Sequence, residues 1–273
     1  MSLALKGTLV LVGAGKMGGA MLEGWLKSGA DPKKIAVLDP FASDDMKALL
    51  AKHKVSLNPA IASIKDAEVV LIAVKPQMME EVLPTVVGLG ASRPLILSVA
   101  AGKTIASFER HFGKSAAIIR TIPNTPASIG RGITAMSANA NVLATQMKLA
   151  KDLLSAIGEV VTVDREELID SVTAVSGSGP AYVFYMTECL AAAAEKVGLP
   201  PALAMQLARA TVAGSGELMR VTGTDAATLR QNVTSPKGTT HAALQVLMAE
   251  DGLQPLLERA VKAAADRSRE LAS

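Results

Sequence analysis

Residues 8–27 read TLVLVGAGKMGGAMLEGWLK. TLVLV is an unbroken apolar run that stops at a glycine, the pattern of a strand buried on both faces. Gly13, Gly15 and Gly18 follow at the spacing G-x-G-x-x-G, and Met17 to Lys27 carries helical periodicity. Between a strand and a helix this spacing signals a dinucleotide site. Gly13 makes the tight turn, Gly15 lets the backbone approach a pyrophosphate, and Gly18 lets the helix pack on the strand. The helix N-terminus then faces the phosphates. Lys16 and Met17, between the glycines, join the expected cofactor-binding set.

The first half continues the alternation. Strand-like runs fall at 35–39, 68–74, 95–99, 116–122, 132–137 and 159–163, with helical stretches near 44–53, 104–111 and 141–156. That order predicts an α/β fold, a Rossmann-type, doubly wound, mostly parallel sheet. After Val163 the character changes, and five helical stretches follow with no strand-like run. Pro200 and Pro201 suit the start of one helix, and Gly198 suits the end of the one before. We therefore expect a dinucleotide-binding domain over 1–163 and an all-helical domain over 164–273. The Ala-rich helices of that second part carry more apolar surface than five short helices bury alone. Either a partner subunit or the chain's own sheet covers it, and composition decides neither.

The 273 residues allow one large domain or two small ones. At 49% hydrophobic and 19% charged, the chain is neither disordered nor a coiled coil. Aromatics make up only 3%, so Ala, Val, Leu, Ile and Met must fill the core. The single Cys189 excludes an intramolecular disulfide framework, and the scattered His53, His111 and His241 show no metal-ligand spacing, so no metal is expected. A net charge of +3 without a Lys/Arg run argues against a nucleic-acid partner. The longest uncharged stretch, Ser171–Thr187, is shorter than the ~20 apolar residues that span a bilayer. The opening MSLALKGTLVLVGAG offers a Lys before an apolar run, but no cleavage site is evident and its glycines read better as the dinucleotide turn, so the expected setting is soluble, reduced and cytoplasmic.

Asp39 ends the second strand-like run, where an acid binds the adenine ribose hydroxyls and repels a 2′-phosphate. It leans the expected cofactor, NADPH or NADH, towards NADH. The same Asp39-Pro40 pair is also ordinary turn chemistry. AVKPQ (73–77) ends the third apolar run, and the carboxyl ends of parallel strands are where ligands sit in such sheets. There Val74, Lys75 and Pro76 are expected at the cofactor crevice. Lys75, a cation there, is the candidate catalytic side chain; taken alone it reads as a solvated loop charge.

With these residues in view the chain resembles the pyrroline-5-carboxylate reductase family over nearly its whole length. The resemblance runs through VGAGKMG (12–18), AVKPQ (73–77), LSVAAG (97–102), RTIPNTPASIGRGITAM (120–136), AVSGSGPAYVFYMTECLAAAAEKVGLP (174–200) and LRQNVTSPKGTTHAAL (229–244). It implies a Rossmann domain followed by a helical domain that makes intertwined dimers. It implies hydride transfer from NAD(P)H to the imine carbon of 1-pyrroline-5-carboxylate, giving proline. The family's substrate loop falls on Val233–Thr240, with Ser235, Gly238, Thr239 and Thr240 as substrate-binding residues. Thr240, the second catalytic candidate, is expected to hydrogen-bond the ring nitrogen. Asn124 of PNTP is expected to hydrogen-bond near the cofactor, and SGSGP (176–180) is a close-approach segment. By local pattern alone SPKGTT is a helix-capping turn with Thr239 or Thr240 as N-cap.

The chain departs from the family pattern in three places. Lys237 stands where many members have Gly. Asp39 stands where members that prefer NADPH have a small or hydroxyl residue. GTDAATL (223–229) lacks the His-Pro pair and the acid common in that segment. Two other readings share the glycine motif. One is a two-domain dehydrogenase of the β-hydroxyacid or NADP-oxidoreductase type. It relies on a catalytic Lys in a second-domain helix, and here the stretch 181–198 has only Lys196, near its end. The other is a non-catalytic nucleotide-sensing protein, against which the retained loop residues argue.

Overall fold

The computed structural model describes residues 3–272. The strands are β1 (Thr8–Val12), β2 (Ile35–Leu38), β3 (Ser56–Leu57), β4 (Ala67–Ile72), β5 (Leu95–Ser98), β6 (Ala117–Ile122), β7 (Gly132–Ala138) and β8 (Gly158–Thr162). They form one sheet in the order β3-β2-β1-β4-β5-β6-β7-β8. The helices of this half are α1 (Lys16–Lys27), α2 (Asp44–His53), α3 (Met79–Val86), α4 (Ile105–Phe112) and α5 (Ala144–Leu154). Strand order reverses between β1 and β4, so the carboxyl ends of these strands flank the crevice where such sheets take ligands.

The sheet is mostly parallel, as the alternation predicts, with β7 antiparallel to β6. The connection 123–131 is too short for the crossover of a dozen or more residues that parallel pairing needs, so the chain turns straight back. Each face has its own core. On one, Leu9, Leu11 and Val37 meet Met21, Leu22 and Trp25 of α1 and Leu153 of α5. On the other, Val10, Val70 and Ile72 meet Leu83 of α3 and Phe108 of α4. Trp25 is fully buried, and its indole N–H donates to the Leu153 carbonyl (2.9 Å), as a buried indole requires. The periodicity reading missed α3, because Pro84 interrupts it, and the short β3.

After β8 come α6 (Leu168–Val172), a π-helical turn (Thr173–Gly177), α7 (Gly179–Lys196), α8 (Pro201–Thr222), α9 (Ala226–Asn232), α10 (Thr239–Leu247) and α11 (Leu253–Ala272). The unexpected α9 is capped by Asp225, whose carboxylate accepts from Thr228 N (2.9 Å). The Thr228 hydroxyl also donates to this carboxylate (2.5 Å), and that bond together with the one from Thr228 N holds the Asp225 carboxyl below the ordinary carboxylate range.

The chain packs into two compact units, one running through Gly177 and including the chain from Ala265 onward, the other Ser178–Ala264. The change of composition near 164 and this division by packing are different cuts. Ile169 of α6 is buried with Ile122 and Ala135 of the sheet, so the first unit continues past 164. Its polar interior centres on Arg120, which bonds Glu166 (3.0 Å) and faces Asp170 (3.5 Å). Ser268 of α11 donates to Asp170 (2.7 Å), and Ile105 N donates to Glu166 (2.8 Å). In the second unit Ala191, Ala204 and Ala208 are the buried residues, while Phe184, Leu203, Leu207, Leu218 and Leu256 are exposed. Among the described residues no helix is long and apolar enough to cross a membrane.

Candidate active site

Gly13 leaves β1 with φ 91°, a left-handed conformation glycine adopts without steric cost. A Cβ there would stand 2.9 Å from Val74 Cγ1 and 3.0 Å from the Ala73 carbonyl carbon, so the glycine turn and the loop after β4 lie against each other. Gly18 is closer still, because a Cβ would sit 2.1 Å from the Gly13 carbonyl oxygen. Gly15 is the opposite case. It is exposed, and a Cβ on it would meet nothing within 4 Å. Gly15 is also the N-cap of α1, and no side chain caps that helix. Open space over an uncapped helix start fits a pyrophosphate, whose oxygens take the N–H groups and favour the positive end of the helix dipole. Lys16 is exposed beside it, and Met17 packs partly on the core.

Asp39 lies just past β2 with its carboxylate already engaged. Oδ2 accepts from Ala14 N in the glycine loop (2.8 Å), and Oδ1 accepts from Phe41 N (2.9 Å). The turn that Asp39-Pro40 suggests is therefore present, and the same group reaches the glycine loop. An ionised carboxylate offers about four acceptor directions, so sites remain for ribose hydroxyls. Two neighbours escaped the sequence reading. Asn58 brackets the Asp39 backbone, and Phe41 is 81% exposed. An aromatic next to a strand-end acid, in a chain with so few aromatics, was the available signal.

Lys75 is exposed and precedes the short turn Pro76–Met78, opened by Pro76. The Asn124 amide is engaged within the first unit. Oδ1 accepts from Ile133 N (2.9 Å), and Nδ2 donates to the Ser176 carbonyl (3.1 Å). It ties the loop after β6 to the π-helical turn. A hollow of about 870 Å³, lined among others by Trp25, Arg93 and Asp152, opens at the amino ends of the strands and contains none of these residues.

The second unit holds the remaining candidates. Pro236 and Lys237 are the central residues of a turn closed by Gly238 N to the Ser235 carbonyl (3.0 Å). Lys237 has φ 61°, the left-handed conformation that the third position of such a turn requires. Glycine takes it freely; a side chain there costs about 1–2 kcal/mol. The N-cap of α10 is Gly238, with no side-chain cap bond, so neither Thr239 nor Thr240 caps the helix and both begin it. Ser235 and Thr239 are exposed, and Thr240 is half-buried.

A glycine turn at the switch point, an open helix start and an acid past β2 define a dinucleotide-dependent oxidoreductase of the Rossmann type. The family described as pyrroline-5-carboxylate reductase dimerisation matches residues 166–271, and that described as NADP oxidoreductase, coenzyme F420-dependent, matches residues 8–102. A pyrroline-5-carboxylate reductase of Pseudomonas aeruginosa is 38% identical over 97% of this chain and 96% of its own. The structure of such a reductase from Coxiella burnetii superposes with a TM-score of 0.91 at 34% identity, covering 98% of this chain and all of the other. That of Plasmodium falciparum pyrroline carboxylate reductase with NADP bound gives 0.81 at 27% identity, covering 98% and 99%. The chain belongs to the pyrroline-5-carboxylate reductase family. That membership gives no support to the β-hydroxyacid-type or nucleotide-sensing readings.

Proposed function

We propose that this chain reduces the C=N bond of 1-pyrroline-5-carboxylate to give proline. Besides family membership, the observation that carries the reading is the loop Ser235–Thr240, which leads into a helix start left open by side chains. We assign the substrate carboxylate to Ser235, Gly238 and Thr239, through hydroxyls and backbone N–H groups. When bound, NAD(P)H supplies the hydride that forms the new C–H bond. The Thr240 hydroxyl holds the proton at the ring nitrogen, and because a threonine is a weak acid that proton arrives from water. Lys75 places a cation beside the glycine turn, with Val74 and Pro76 shaping the wall. Gly13, Gly15, Lys16, Met17 and Gly18 hold the pyrophosphate, and Asn124 fixes the adjoining loop. The negative charge of Asp39 favours NADH over NADPH.

We assign 1–163 to dinucleotide binding and 164–273 to substrate binding and self-association through the helices. The exposed large apolar side chains of α7 and α8 support the latter. We place the activity in the cytoplasm with no nucleic-acid or membrane partner; the lone cysteine and modest charge support this.

Purified protein should oxidise NADH and NADPH only when 1-pyrroline-5-carboxylate is added, with the higher kcat/KM for NADH. Absorbance loss without substrate dependence would refute the reaction, and a strong NADPH preference would refute the role of Asp39. Thr240→Val should lower kcat/KM about a hundredfold, the scale of general acid–base effects, with the NADH dissociation constant unchanged. An unchanged kcat/KM removes Thr240 from the mechanism.

A further inference from the structure

We propose that Asn58 is a positioning residue for cofactor choice, acting through Asp39. Asn58 follows β3 in the left-handed conformation, φ 49°, and its N–H donates to the Val37 carbonyl (2.7 Å), which anchors it to β2. Its side-chain amide then takes both backbone groups of Asp39. Oδ1 accepts from Asp39 N (2.8 Å), and Nδ2 donates to the Asp39 carbonyl (3.0 Å). The two bonds fix the peptide groups on either side of the Asp39 Cα and so set the direction of its carboxylate. That carboxylate in turn holds Ala14 N, between Gly13 and Gly15.

One chain of hydrogen bonds thus runs from Asn58 through Asp39 to the phosphate loop. A charge repels a 2′-phosphate, or accepts from a 2′-hydroxyl, only where it is held at that position, because in open solvent a swinging carboxylate is screened within ~10 Å. No Lys or Arg occurs in Pro40–Ser43 to offset it. The sheet edge formed by β3, only two residues long, gains a purpose from this: it delivers Asn58 to the carboxyl end of β2.

The inference rests on the reading that Asp39 faces the adenine ribose, and the test separates the two. Asn58→Gly keeps the left-handed backbone and removes both side-chain bonds. Dissociation constants for NADH and NADPH are measured by calorimetry without substrate, beside Asp39→Ser and with the unfolding midpoint followed by Trp25 fluorescence. Asn58→Gly should weaken NADH about fivefold, the scale of one net hydrogen bond, and leave NADPH within about twofold, at an unchanged midpoint. Asp39→Ser should erase the preference for NADH. If Asp39→Ser erases the preference but Asn58→Gly alters neither constant, or both equally, the positioning role is overturned and the Asp39 reading stands. If Asp39→Ser leaves the preference intact, the Asp39 reading fails and the proposal falls with it.

Discussion

Gly18→Ala should destabilise the first unit by about 3 kcal/mol, at the upper end of overpacking costs, and weaken NADH binding at least about tenfold. Its Cβ would sit 2.1 Å from the Gly13 carbonyl oxygen and 3.3 Å from Ala73 Cβ. The clashing atom is backbone, so no rotamer relieves it. Either α1 lifts from the sheet, disturbing Met21, Leu22 and Trp25, or the turn at Gly13 shifts and the N–H groups around Gly15 lose their arrangement. Gly15→Ala is the control. Its Cβ meets no protein atom within 4 Å, so stability should hold while NADH binding falls, because the methyl group enters ligand space. The pair separates fold from proposed site: Gly18 is needed for packing, and Gly15 is assigned to the ligand. Denaturant titration followed by Trp25 fluorescence, with calorimetric NADH binding, reads both. Equal loss of stability in the two variants would refute this division.

Arg120→Met should cost the same unit about 3–5 kcal/mol, the penalty for leaving buried charges without their partner. The guanidinium side chain is only 3% exposed, and it bonds Glu166 and faces Asp170, which are themselves largely removed from water. Methionine matches much of the volume but leaves two carboxylates facing apolar surroundings. The bonds that hang on those carboxylates, from Ser268 Oγ and from Ile105 N, loosen with them. Adding Glu166→Gln and Asp170→Asn to the methionine variant should recover most of the loss, since neutral amides remove the uncompensated charge. A denaturation midpoint unchanged in Arg120→Met would show that this network holds nothing in place.

Much of the first half was legible in the sequence, for a local reason. Apolar run, glycine spacing and helical period all lie within residues 8–27, and the same alternation gave the other long strands. Failures came where the signal was short or broken, as at Ser56–Leu57, at the Pro84-containing α3 and at α9. At the site, the residue types were legible and their engagements were not. Asp39 was expected to serve a ribose; its bonds to Ala14 and Phe41 involve a partner 25 residues away and an ordinary turn. Asn124 was expected near the cofactor, and its amide is held by Ile133 and Ser176. For Lys237 the family resemblance marked a departure, and the left-handed backbone supplies its physical meaning.

By itself, then, the sequence determined the Rossmann half, the glycine turn, the acid after the second strand and the helical character of the rest. These follow from unbroken apolar runs of strand length, from the 3.6 period of the helices and from steric needs that only glycine meets. Tertiary structure alone decided the bracket of Asn58 on Asp39 and the Arg120 network that ties the end of α11 to Asp170. Ser268 and Asp170 are 98 residues apart, and Arg120 and Glu166 are 46 apart. A hydrogen bond or ion pair is fixed by where two side chains meet in space, and no local pattern of residue types records that meeting.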